Sequence, residues 1–161
     1  MGESSHAEGN STTASNESSH AEGNSTIASG YYSHAEGYIT KASASNSHAE
    51  GMSTTASGAS SHAEGYKTLA QNNYEHASGV LNISTKASAT FGDSDNTLFS
   101  VGNGSGSTVT HNAFEIKQNG DIYIANTNAE GEYYEKPMVR LQDYLSNQSG
   151  GIPDVIDCGT F

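Results

Sequence analysis

Residues 19–32 read Ser-His-Ala-Glu-Gly-Asn-Ser-Thr-Ile-Ala-Ser-Gly-Tyr-Tyr, and this 14-residue phrase recurs through the first half of the chain. Its other copies are SHAEGNSTTASNES from Ser5, SHAEGYITKASASN from Ser33, SHAEGMSTTASGAS from Ser47, SHAEGYKTLAQNNY from Ser61 and EHASGVLNISTKAS from Glu75. Six histidines thus stand in register: His6, His20, His34, His48, His62 and His76. Each copy divides into S-H-A-E-G and T-x-A-S-G, joined by two or three residues. Short segments that end in glycine and alternate small with larger side chains describe strands closed by tight turns. Two strands per copy make a flattened coil, and coils stacked about 4.8 Å apart pair each strand with its counterparts above and below. Six coils predict an all-β fold, a parallel β-roll roughly 29 Å long. A helix is excluded, because Gly, Ser and Thr are poor helix formers and the apolar spacing is far from 3.6.

Alternation along a strand assigns the faces. Ser19 and Ala21 share one face, and His20 and Glu22 the other; Thr26 and Ala28 oppose Ile27 and Ser29 in the second strand. The small Ser/Ala/Thr/Ala set is the predicted interior, with its hydroxyls expected to bond along the stack. The outward slot of the second strand varies freely: Thr13, Ile27, Lys41, Thr55, Leu69, Ile83. That of the first repeats as His then Glu, in Glu8, Glu22, Glu36, Glu50 and Glu64, with Ser78 ending the series. A solvent face tolerates variety, whereas a face that docks on copies of itself repeats. His6, Glu8, His20, Glu22, His34, Glu36, His48, Glu50, His62, Glu64 and His76 are therefore the expected interface of a homotrimer. His–Glu pairing is expected across that interface, raising the histidine pKa on assembly; an ion on the trimer axis and simple exposure are the other readings of the column.

Composition supports a repeat rather than a conventional core. Hydrophobic residues make up 33% and Trp is absent, so apolar burial has to be shared between neighbouring coils. The net charge of −12 repels a phosphate backbone and anionic membranes, which argues against nucleic-acid binding. No apolar run approaches a membrane span, and no export or anchoring signal is read in the sequence. Cys158 is the only cysteine, so an intrachain disulfide is excluded and a small buried residue is its expected role. A catalytic site does not repeat six times in register, and phosphate-loop, nucleophile-elbow and His-x-x-x-His motifs are all missing. Neither a catalytic residue nor a metal or other cofactor is expected.

The 14-residue S-x-A-x-G…S/T-x-A-x-G pattern over about residues 5–88 resembles the YadA-like head repeat of trimeric autotransporter adhesins. The resemblance implies a left-handed parallel β-roll that trimerises. In that family the two variable positions of the first half are commonly aliphatic and face the trimer interior; here they are His and Glu. The SHAEG form, followed by HASGVLN, FSVGNG, NAFEI and NGDIYI, looks more like the tail-fibre or neck-appendage proteins of phages and prophages. Some of those carry a self-cleaving chaperone domain downstream, and no residue after 124 points to one here.

The chain divides into a roll over 1–88, a small antiparallel β-module over 89–126 that caps it, and a C-terminal segment over 127–161. Strands are predicted at Thr97–Val101, Asn112–Ile116 and Asp121–Ile124, with Asn119-Gly120 as a hairpin turn. Met138, Leu141, Tyr144 and Leu145 follow helical spacing and predict an amphipathic helix over 138–147, with Met138, Leu141 and Leu145 packing between copies. Gly150-Gly151 ends it, and Val155–Cys158 reads as a last strand. Tyr31, Tyr32, Tyr38, Tyr66 and Tyr74 sit near coil corners; Tyr31, Tyr38 and Tyr66 are candidate ligand contacts, with turn packing between chains as the alternative.

Two functional classes follow. The first is a structural segment of a phage or prophage tail fibre, located in the virion. Its partners would be its own copies, other tail or fibre proteins, and a host-surface glycan or protein as receptor. The second is the head of a bacterial surface adhesin.

Overall fold

The computed structural model describes residues 2–86, 88–126, 131–132 and 136–147. The repeat builds a β-solenoid. β1 (His6–Asn10) and β2 (Thr13–Ala14) form the first coil, β3 (His20–Asn24) and β4 (Ile27–Ala28) the second, β5 (His34–Tyr38) and β6 (Lys41–Ala42) the third. β7 (His48–Ala49) with β8 (Thr55–Ala56), and β9 (His62–Ala63) with β10 (Leu69–Ala70), complete five coils. The sixth contributes β11 (His76–Val80) and no second strand. Odd strands stack parallel in one sheet and even strands in another, with histidine on histidine and alanine on alanine.

Both turns of each coil need a left-handed residue. From Ser4 to Leu81 every seventh residue has φ between 48° and 63°, including Tyr32, Ile39 and Lys67. Gly37 opens one such turn at φ +105°, where a Cβ would lie 2.2 Å from the Gly51 carbonyl oxygen. Glycine is thus required there by conformation and by the closeness of the next coil.

The interior is the Ser/Ala/Thr/Ala set. From Ala21 to Ala77 its alanines are completely buried, and Ser19, Ser33, Ser47, Thr26, Thr40 and Thr54 are at most 1% exposed. The expected bonding of hydroxyls along the stack does not occur. Ser33, Ser47 and Ser61 each donate 2.7 Å back to a carbonyl three residues earlier, closing their own turn. A rung spacing of about 4.8 Å puts the next hydroxyl out of hydrogen-bond reach.

The even-numbered sheet ends on side-chain amides. Asn82 accepts from Leu69 N at 2.7 Å and donates to Leu69 O at 3.0 Å, copying the bonds a further strand would make. Asn112 does the same to Ile83, at 2.8 Å each. Such clips protect an edge that would otherwise template further pairing.

The other sheet continues past the roll. β12 (Thr97–Asn103) lies parallel on β11 and places Phe99 on His76 and Ser100 on Ala77. Chain direction then alternates through β13 (Asn112–Lys117), β14 (Ile122–Ala125) and β15 (Met138–Arg140), making one ten-stranded sheet. The antiparallel segment is thus an extension of the roll's own sheet. Its Asn-Gly hairpin forms as predicted, with Gly120 N donating 2.9 Å to Lys117 O. The C-terminal helix is shorter than the spacing suggests: α1 spans Leu141–Asn147, and Met138 lies on β15. The backbone of 138–140 pairs with the free edge of β14, which a helix could not do. Val155–Cys158, Gly150-Gly151 and Cys158 lie outside the described residues.

At the seam Glu75 takes the slot that serine fills in the other coils, and is 1% exposed. Its Oε2 accepts from Gln71 N at 2.9 Å, Asn72 N and Nδ2 at 2.8 Å, and Ser84 Oγ at 2.9 Å. Burial outweighs these donors and pushes its pKa up to about 7.

Candidate functional site

The repeated His and Glu side chains share one face because they hold the outward slots of the odd strands. From His20 to His62 the imidazoles stack with centroids 4.7–4.8 Å apart and planes within 7°. The end members tilt: His6 lies 60° from His20, and His76 40° from His62. In the middle of the column the side chains are about one-third exposed, 35% for His48 and 32% for Glu36.

Within a single chain most of the histidines already reach a glutamate. His48 Nε2 lies 3.5 Å from Glu36 Oε1, His62 Nε2 3.2 Å from Glu50 Oε1, and His76 Nε2 3.4 Å from Glu64 Oε1. Each of these histidines reaches the glutamate of the preceding coil. At the start of the column the pairs fall within one strand, His6 to Glu8 at 3.3 Å and His20 to Glu22 at 3.9 Å.

In the single chain, burial dominates the electrostatics at the middle of the column. Burial, helped by the neighbouring imidazoles, holds His34 and His48 below the ordinary histidine range despite nearby carboxylates. Burial and the adjoining rings thus disfavour the charged form of these two imidazoles. Glu36 shares its proton with the glutamates on either side, Glu22 and Glu50. Hydrogen bonding to Glu22, then burial and Glu50, raises Glu36 to about 7, while the same bond lowers Glu22. An open groove lined by Glu8, Gly9, Glu22, Gly23, Glu36 and Gly37 runs alongside.

Beyond the sixth coil this face turns apolar. The Phe99 ring lies 5.3 Å from His76 and 6.1 Å from Phe114, continuing the histidine stack. Val101 faces Phe114, Ile116 faces Phe99, and Ile122 and Ile124 face Ile116 and Phe114. Side chains directly opposed across antiparallel strands share a face, so these six form one half-exposed apolar strip in line with the His/Glu column. Sequence reasoning saw the alternation but not this alignment, because the parallel register of β12 on β11 joins residues 23 positions apart.

The tyrosines divide between two edges. Tyr38, Met52, Tyr66 and Val80 form a ladder at one corner. Tyr31 sits beside Tyr32 at the other turn of its coil, so Tyr31, Tyr38 and Tyr66 are not one stripe. Tyr31 and Tyr38 are exposed, and Lys67 Nζ lies 5.4 Å from the Tyr66 ring centroid. Leu141 and Leu145 line a shallow cavity with Ile122 and Arg140, and Met138 lines its neighbour with Tyr144; no residue of α1 is buried within the single chain. The remaining histidine, His111, is buried in the extension, between Asn103 and the Lys136 carbonyl. Among the described residues no helix is long and apolar enough to cross a membrane.

No protein-family model, curated protein or solved structure matches this chain.

Proposed function

We propose that the chain is a structural segment of a phage or prophage tail fibre or appendage, built as a left-handed roll and assembled as a homotrimer. The observation that carries this reading is the continuous face on which the His/Glu column runs into Phe99, Val101, Phe114, Ile116, Ile122 and Ile124. A six-residue apolar strip on a rod this thin-cored marks an association surface. Its place in line with a repeating column suits self-docking about the rod axis, and the strip restores in the extension the aliphatic character that YadA-like repeats show at trimer-facing positions. Leu141 and Leu145 then pack between copies. The exposed tyrosine edges are left for other fibre proteins or for a host-surface glycan or protein. Phe114→Asp should halve or abolish assembly by light scattering while the far-ultraviolet β-signal persists; unchanged assembly would remove this face from the interface. The adhesin-head reading stays distinguishable by gene context: tail genes alongside support the fibre, whereas an export signal and membrane anchor in the same reading frame support the adhesin.

A further inference from the structure

We propose that the His/Glu face binds divalent cations of the zinc class, each held by one imidazole and two carboxylates from adjacent coils. Three successive groups have the same composition: Glu22, His34 and Glu36; Glu36, His48 and Glu50; Glu50, His62 and Glu64. In each, one ligand atom per residue lies within 4.8 Å of the others. A tetrahedral ion with bonds of about 2.0–2.1 Å holds neighbouring ligand atoms about 3.3 Å apart. His48 Nε2 to Glu36 Oε1 at 3.5 Å and His62 Nε2 to Glu50 Oε1 at 3.2 Å already have that separation. In those two groups only the third carboxylate needs to swing inward.

A second observation comes from the imidazoles themselves. Within these groups Nε2 of His34 and His48 is shielded from solvent and makes no well-formed hydrogen bond, the 3.5 Å approach of His48 to Glu36 included, whereas His62 Nε2 meets Glu50 Oε1 at 3.2 Å. A buried ring nitrogen without a partner is costly, and a cation supplies one. The charge also balances, since two carboxylates and a neutral imidazole neutralise a dication and relieve the repulsion between stacked glutamates. One nitrogen with two oxygens suits zinc, cobalt or nickel better than magnesium or calcium, which take all-oxygen shells.

Stoichiometry follows from the repeat. Neighbouring groups share Glu36 or Glu50 and stand one rung apart, so ions in adjacent groups would compete for a ligand. The groups around His34 and around His62 share no ligand and can fill together, giving at least two ions per chain; a more exposed group of His6, Glu8 and His20 at the start of the column shares no ligand with either. All ligands come from one chain, so the inference does not rest on the trimer.

The test is equilibrium dialysis of the full chain against Zn2+, with metal counted per chain and assembly followed separately by light scattering. At least two Zn2+ should be retained per chain at micromolar free metal, undisturbed by millimolar Mg2+. Glu36→Gln with Glu50→Gln touches all three groups and should weaken binding at least tenfold. Should that variant misfold, Co2+ added to the unaltered chain decides, since visible absorption of a tetrahedral site is expected. No retained zinc, equal retention by the double variant, displacement by Mg2+, or a Co2+ spectrum of the free aqueous ion would each overturn the proposal.

Discussion

At the scale of single residues, position within the coil decides what a side chain costs. Ala35 is completely buried between sheets too close for anything larger, whereas Lys41 occupies an exposed slot of the opposite sheet. Ala35→Leu should cost at least about 1–3 kcal/mol by overpacking, and Lys41→Leu should change the urea midpoint little. Equal tolerance of both would contradict the assignment of the interior. Ile39 makes a different point. It is a β-branched residue held at φ +57° and is 47% exposed, so it carries strain with little burial in return. Ile39→Gly should stabilise by about 0.5–1 kcal/mol, the left-handed penalty less the entropy glycine loses on folding; a lowered urea midpoint would show the position unstrained. The interior was legible because small residues recur there every 14 positions. The seven-residue rhythm of left-handed turns was not, because Ser, Tyr, Ile, Asn, Lys and Leu occupy it and share no chemistry.

At the scale of elements, the informative places are where the repeat breaks. EHASG departs from SHAEG at Glu75 and Ser78, and the buried carboxyl that results sits where roll meets extension. Folded, Glu75 keeps its proton to about pH 7; unfolded, it releases it near the ordinary value of 4.5. Between those limits the folded chain holds more protons, so stability falls as pH rises, and the full cost above pH 7 is about 3 kcal/mol. Glu75→Gln should remove that slope, seen as melting temperatures that converge at pH 5 and separate at pH 8 in the variant's favour. Parallel pH profiles for the two proteins would refute it. The strands of the extension were readable from alternation and the Asn-Gly turn. The register of β12 on β11 and the amide clips of Asn82 and Asn112 were not, since each depends on contacts between residues 13 to 29 positions apart. Met138 was misplaced on the helix because its apolar spacing fits both a helix and an edge strand, and the free edge of β14 decides between them.

At the scale of the whole molecule, one face sets the account apart from that of an isolated rod. In the half-buried His/Glu column five of the six histidines lie within 3.9 Å of a glutamate of their own chain, so it alone does not demand a partner chain. The proposed trimer rests instead on the apolar strip in line with it. Packing three copies around this face, as proposed, would cover its six half-exposed aliphatic and aromatic side chains in every copy. The 14-residue spacing carried the likeness to trimeric repeats at the level of sequence, and the His/Glu column departed from it; the strip, visible only once the extension joins the same sheet, supplies the apolar area. The most direct measurement is the native mass of the full chain at micromolar concentration. The account predicts a single species of about 50 kDa, three times the 16.7 kDa chain, and a stable 16.7 kDa monomer would contradict it.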